Sequence, residues 1–120
     1  MPAMDVPKPI ADFFRMKNEH DDVGLRSLFT EAALVVDAGE GKVIQGADGI
    51  KGWIEKAITG LNLHTDINSC SEQNGEWIVD TVMTGDFKAS PARFEYFITL
   101  SDDKISALRV EFRGSLQSGI

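Results

Sequence analysis

The sequence predicts an α+β fold in which a curved antiparallel sheet from the second half of the chain wraps N-terminal helices in a cone. Three observations carry this prediction. From Leu61 to Arg113 the chain runs as LNLHTDINSCSEQ, EWIVDTVMTGDFK, ARFEYFITLS and KISALRVEF. These stretches are rich in β-branched and aromatic residues and are separated by turn residues, the signature of an antiparallel meander. Upstream, apolar residues recur at helical spacing at Ile10, Phe13 and Phe14, with Lys17 on the same face, and again at Ile50, Trp53, Ile54, Ala57 and Ile58. A sheet buries at least one face, and these helices are what the chain has to cover it. Where a curled sheet closes incompletely on helices, a pocket results.

Composition narrows the function classes. The chain has 120 residues, 42% hydrophobic and 26% charged, which fits one globular domain over residues 1–120 with an ordered core of about 7–113 and a loose lead-in over 1–6. No apolar run approaches the ~18 residues of a membrane span. The opening MPAMDVPKPI lacks the charged-then-apolar pattern of a secretory signal, so a cytoplasmic location is expected. Twelve Lys and Arg against nineteen Asp and Glu, a net charge of −7, disfavour nucleic acid and anionic membrane as partners. A small hydrophobic molecule or another protein is left. The single cysteine, Cys70, excludes an internal disulfide, and His20 and His64 lack ligand spacing, so no metal site is expected. Gly39, Gly41 and Gly46 do not form a dinucleotide fingerprint, and no cofactor is expected.

Each element has a local cause. Pro7 or Pro9 suits the first turn of a helix that runs to about His20. Asp21 or Asp22 caps a short second helix with Leu25, Leu28 and Phe29 on one side. AALVVDAG is a strand broken by Gly39 and Gly41, and KVIQG returns as its partner. ADGIKGWIEKAITG is a third helix closed by Gly60. Gly49 and Gly52 each weaken it by ~1 kcal/mol relative to Ala.

Register follows from the turns. Asn74-Gly75 signals a two-residue type I′ turn. It sets Gln73 opposite Glu76, Cys70 opposite Val79, Asn68 opposite Thr81 and Asp66 opposite Met83, with Ile67 opposite Val82 on the other face. For the last hairpin, a two-residue Asp102-Asp103 loop would place Tyr96 opposite Arg109 and Phe94 opposite Glu111, mixing apolar and charged residues on one face. A three-residue loop over Ser101, Asp102 and Asp103 is expected instead. It pairs Tyr96 with Leu108 and Phe94 with Val110, and sets Glu95 against Arg109 and Arg93 against Glu111. The outward face then carries Ile78, Val82, Phe97 and Ile105 among charges, an apolar surface that usually meets another surface.

Four stretches bear a likeness to a known family: HDDVGLRSLFTEAALVVDAG, QGADGIKGWI, TGDFKASP and LSDDKISALRVEF. Over roughly residues 7–113 the chain resembles the nuclear transport factor 2-like superfamily, in its SnoaL-like and ketosteroid-isomerase-like branch. The resemblance implies a cystatin-like α+β roll, a hydrophobic pocket and a homodimer through the outer sheet face. It does not select an activity, because the fold hosts isomerases, cyclases, dehydratases, hydrolases and non-catalytic modules. The first-strand acid that serves ketosteroid isomerases as general base matches Asp37. The helix-one tyrosine that donates to their oxyanion is matched by Phe13, and the second donor, a protonated acid, by Tyr96. One base is present, one donor is missing and the other is a phenol, a pattern that argues against steroid isomerisation.

The candidate catalytic residues are therefore Asp37, Tyr96 and His64, and the candidate ligand contacts are Phe13, Phe14, Trp53, Asp66, Trp77, Met83 and Phe112. His64 and Asp66 alternate onto one face of their strand, ~6.5–7 Å apart. If the Asn-Gly register holds to the strand's start, they face the pocket with Trp77, Val79, Thr81 and Met83, as a His/Asp acid–base pair. If a bulge intervenes, Leu63, Thr65 and Ile67 face inward instead. For most of the aromatic residues, plain core packing competes with a role in the pocket. Trp53 and Tyr96 stand out, because each has a polar tip that needs a partner when buried. Two functions are open: cofactor-independent acid–base catalysis on a small hydrophobic carbonyl or hydroxyl compound, or a dimeric binding module without chemistry.

Overall fold

A computed structural model of the chain describes residues 6–38 and 41–117. All but the last residue of the loose lead-in expected over 1–6, and the break expected at Gly39, lie outside these residues. The elements are α1 (Lys8–Glu19), α2 (Asp22–Ser27), β1 (Phe29–Asp37), β2 (Lys42–Gln45), α3 (Gly46–Trp53), a π-helical continuation (Ile54–Thr59), β3 (His64–Gln73), β4 (Glu76–Thr84), β5 (Ala92–Ser101) and β6 (Lys104–Ser115). The strands form one sheet in the order β2-β1-β6-β5-β4-β3. It is antiparallel except where β1 lies parallel to β6.

The helices end where local chemistry requires. Pro7 precedes α1, and His20 closes it in the left-handed region at φ 59°. The Asp21 carboxylate accepts the Gly24 N–H at 3.0 Å and caps α2. After α3 the helix widens, and the Gly60 N–H reaches back to the Glu55 carbonyl at 3.0 Å. Gly60 itself has an ordinary right-handed conformation. Glycine is needed there for space rather than for φ: a Cβ would lie 2.7 Å from the Lys56 carbonyl oxygen. The wide turn also sets which residues face inward. In a regular α-helix Trp53 and Ile58 would point roughly 140° apart, yet both are buried.

Both hairpins slip by one residue away from their turns. Asn74 and Gly75 have φ of 53° and 80°, a type I′ turn, and the register holds through Cys70 opposite Val79. It then shifts at Asn68, so that Ile67 faces Thr81, Asp66 faces Val82 and Thr65 faces Met83. Of the two readings open for β3, the one with a bulge is found, and the pairings set by the turn do not hold beyond Ser69. The last hairpin departs from expectation at its loop. Ser101 pairs with Lys104, so the loop is two residues, with Asp102 and Asp103 at φ 50° and 64°. A shift between Thr99 and Leu100 then removes the apolar–charged clash that argued against this loop, placing Tyr96 opposite Val110 and Phe94 opposite Phe112. The same irregularity turns Ile105 into the core, where it is fully buried rather than on the outward face.

The expected charge ladder is rearranged as well. Glu95 faces Glu111, and Arg113 bridges them at 2.8 and 2.9 Å, while Arg93 pairs with Asp80 of β4 at 2.7 Å. The core lies between the sheet's concave face and the helices. Phe13 and Phe14 pack edge-on against Tyr96 at ring-centroid distances of 6.1 and 5.0 Å.

Candidate functional site

The cone closes incompletely. A cavity of about 260 Å³ opens between the helical arm and the sheet. Trp53, Ala57 and Ile58 line its helical side, and Met83, Tyr96, Val110 and Phe112 line its sheet side. Among the lining residues, Asp37, Leu61, Phe87 and Phe112 keep solvent exposure and mark the mouth, whereas Lys17, Ile58 and Tyr96 are buried at the floor. The mouth is held where the loop after β4 crosses the start of β3: the Asp86 N–H donates to the Leu61 carbonyl at 2.7 Å. Gly85 permits this approach, since a Cβ there would sit 2.6 Å from Leu63 Cδ2.

Polar groups in this largely apolar cavity fall into two sets. At the end of β1, the Asp37 carboxylate accepts the Trp53 indole N–H at 3.0 Å. β1 is held beside β6 there, with the Ala38 N–H donating to the Val110 carbonyl at 3.1 Å. At the floor, Lys17 Nζ donates to Thr65 Oγ1 at 2.6 Å, and Thr65 is also hydrogen-bonded to the Tyr96 hydroxyl. A threonine hydroxyl has one proton and two lone pairs. Thr65 therefore stands between the Lys17 amine and the Tyr96 phenol.

Environment sets protonation. Burial foremost, then the Asp37 charge, push the Tyr96 phenol well above its ordinary value, against the opposing Thr65 hydrogen bond, so it stays a proton donor. Burial alone pulls the Lys17 ammonium down from 10.5 to about 7.

The structure brings together some of the sequence candidates and disperses others. Asp37, Tyr96, Trp53, Met83 and Phe112 share the cavity. His64 and Asp66 do not. The Asn68 bulge turns them outward, where they contact each other at 3.3 Å with side chains 56% and 76% exposed. Thr65 takes the inward position between them. Phe13 and Phe14 belong to the core behind Tyr96, because the apolar face of α1 packs flat against the sheet. Trp77 packs against the same core opposite Ile98, away from the lining. Sequence reasoning passed over Lys17 and Thr65 as site residues. The signal for Lys17 was its place on the apolar stripe of α1. Among the described residues, no group of three or more His, Cys, Asp or Glu could hold a metal ion, and no helix is long and apolar enough to cross a membrane.

A helix–helix–strand–strand–helix–meander order around a one-ended cavity defines the nuclear transport factor 2-like fold, which the chain adopts. Solved structures bear this out. A candidate polyketide cyclase from Sinorhizobium meliloti superposes with a TM-score of 0.84 at 24% identity, covering 92% of this chain and 100% of the other. A protein of ketosteroid isomerase-like fold from Catenulispora acidiphila, solved with trimethylamine, gives 0.78 at 17% identity over 89% and 86%. The epoxide hydrolase/cyclase-like enzyme SalBIII of salinomycin pyran-ring formation gives 0.72 at 21% identity over 88% of each chain. No family model and no curated protein matches the sequence.

Proposed function

We propose that this chain is a SnoaL-like acid–base enzyme acting without a cofactor on a small, mostly apolar compound that carries a carbonyl or hydroxyl group. The observation that carries the reading is the shared cavity of Asp37 and Tyr96. Asp37, at the mouth and oriented by the Trp53 indole, removes a proton from carbon or oxygen. Tyr96, held protonated, donates to the oxygen on which charge develops. Phe13 and Phe14 back the Tyr96 ring and fix its position. The cyclase and epoxide hydrolase/cyclase-like names borne by two structural relatives are compatible with this chemistry.

A test needs no knowledge of the natural substrate. Cyclohexanone in D₂O should exchange its α-protons faster in the presence of the protein, as followed by NMR, and Asp37→Asn should remove the acceleration. Equal exchange by wild type and variant would sink the assignment of Asp37. The same reading includes a homodimer through the outer sheet face, where Ile78, Val82 and Phe97 are only half-buried. Sedimentation of a monomer at micromolar concentration would count against it.

A further inference from the structure

Lys17 has no part in the chemistry above, yet its amine sits on the cavity floor with the side chain 1% exposed. Its hydrogen-bond acceptor there is the neutral hydroxyl of Thr65. The other titratable groups lining the cavity are Asp37 from β1 and Tyr96 from β5, and neither moves the lysine, which burial alone shifts. A charged ammonium in such a place is poorly solvated, and the neutral amine, with a free lone pair, is favoured.

We propose that Lys17 is a carbonyl-reactive amine that captures a small apolar aldehyde or ketone in this cavity as an imine. Desolvated lysines in apolar pockets are the ones that act as nucleophiles. The Lys17 nitrogen forms a bond to the carbonyl carbon as the C=O π bond breaks. The oxygen takes a proton from the Tyr96 hydroxyl and the nitrogen, now carrying one proton too many, returns one to the phenolate, giving a neutral carbinolamine. Loss of the nitrogen's proton and of the hydroxyl as one water leaves the C=N bond, so the balance is amine plus carbonyl giving imine plus water, with no oxidant or reductant. Thr65 positions the amine and links it to Tyr96. The inference shares the cavity with Asp37 but not its role, and it holds or fails separately.

The experiment is trapping. The protein is incubated with hexanal and sodium cyanoborohydride at pH 7, and the alkylated lysines are mapped by mass spectrometry. Lys17 should be modified first, about tenfold or more faster than exposed lysines such as Lys8, because far more of its amine is neutral at that pH. Its rate should be half-maximal near pH 7, whereas exposed lysines should still be accelerating toward pH 10. Lys17 should still be alkylated ahead of Lys8 in Asp37→Asn, which separates this inference from the proposed acid–base function. Lys17→Met should lose the fast adduct while retaining the wild-type circular dichroism. Adducts spread over the exposed lysines, with Lys17 unmodified or no faster than Lys8, would overturn the proposal. The wild-type map decides this even if the variant fails to fold.

Discussion

Asp37 and Lys17 line one cavity and are supported in opposite ways. Asp37 stands at the mouth, half-buried, with an indole N–H directed at its carboxylate. Lys17 lies at the floor, where the group it donates to is a neutral hydroxyl. There the low dielectric acts against the charged form. Depth in the cone thus separates the two: the Asp37 carboxyl meets an indole donor at the half-buried rim, whereas burial disfavours the charged form of the Lys17 amine and keeps the proton on the Tyr96 phenol.

Substitution of either residue separates the two roles. Asp37→Asn should lower catalysed proton exchange by about 10²–10⁴-fold, the usual contribution of a positioned base, while hexanal trapping continues. Lys17→Met should stabilise the fold. Lowering the ammonium from 10.5 to about 7 corresponds to a cost of up to about 5 kcal/mol at neutral pH, recoverable by an unbranched apolar side chain and measurable by urea denaturation.

The same feature sets a pH dependence. Between about 7 and 10.5 the unfolded state holds a proton on Lys17 that the folded state has released. Wild-type stability, measured relative to Lys17→Met, should therefore rise with pH through that window and be flat below it. A difference that falls with rising pH would show that the lysine is stabilised in its charged form. The smallest effect is expected from Thr65→Val, which removes the acceptor of Lys17 and the partner of Tyr96 at similar volume. It should cost about 1–3 kcal/mol and shift the pH profile of hexanal trapping.

The order of the elements was legible in the sequence, because proline, the Asp21 cap and Asn74-Gly75 act locally, although Phe29, read as part of the second helix, begins β1. The bulge in β3 was one of two readings, but its position was not marked, and the shift in the last hairpin was not foreseen. Nothing in the composition around Asn68 marks it as the residue that drops out of register, yet that slip moves His64 and Asp66 from the pocket to the surface. The Thr99–Leu100 shift likewise has no local signature, and it reverses the preference for a three-residue loop that cross-strand matching favoured. Lys17 was visible on the apolar stripe of α1, but its depth depends on a contact distant in sequence. Asn18 donates to the Thr65 carbonyl at 2.8 Å and accepts the Thr65 N–H at 2.7 Å, satisfying the backbone of edge strand β3. That pairing seats α1 over the start of β3 and brings Lys17 onto the Thr65 hydroxyl. Asp37 became a candidate through a family likeness, and the indole that holds it was not paired with it beforehand.

The wide turn from Ile54 to Thr59 gives the molecule an adjustable part. A sheet fixed by cross-strand pairing cannot shorten by one residue without turning a strand's side chains over. A π-helical turn carries one residue more than an α-helical turn needs. Deleting a single residue there would tighten the helix, rotate Ala57 and Ile58 relative to Trp53 and reshape one wall, while every strand kept its register. In evolutionary terms, the helical arm is where this scaffold can change the size of its cavity without altering the sheet opposite.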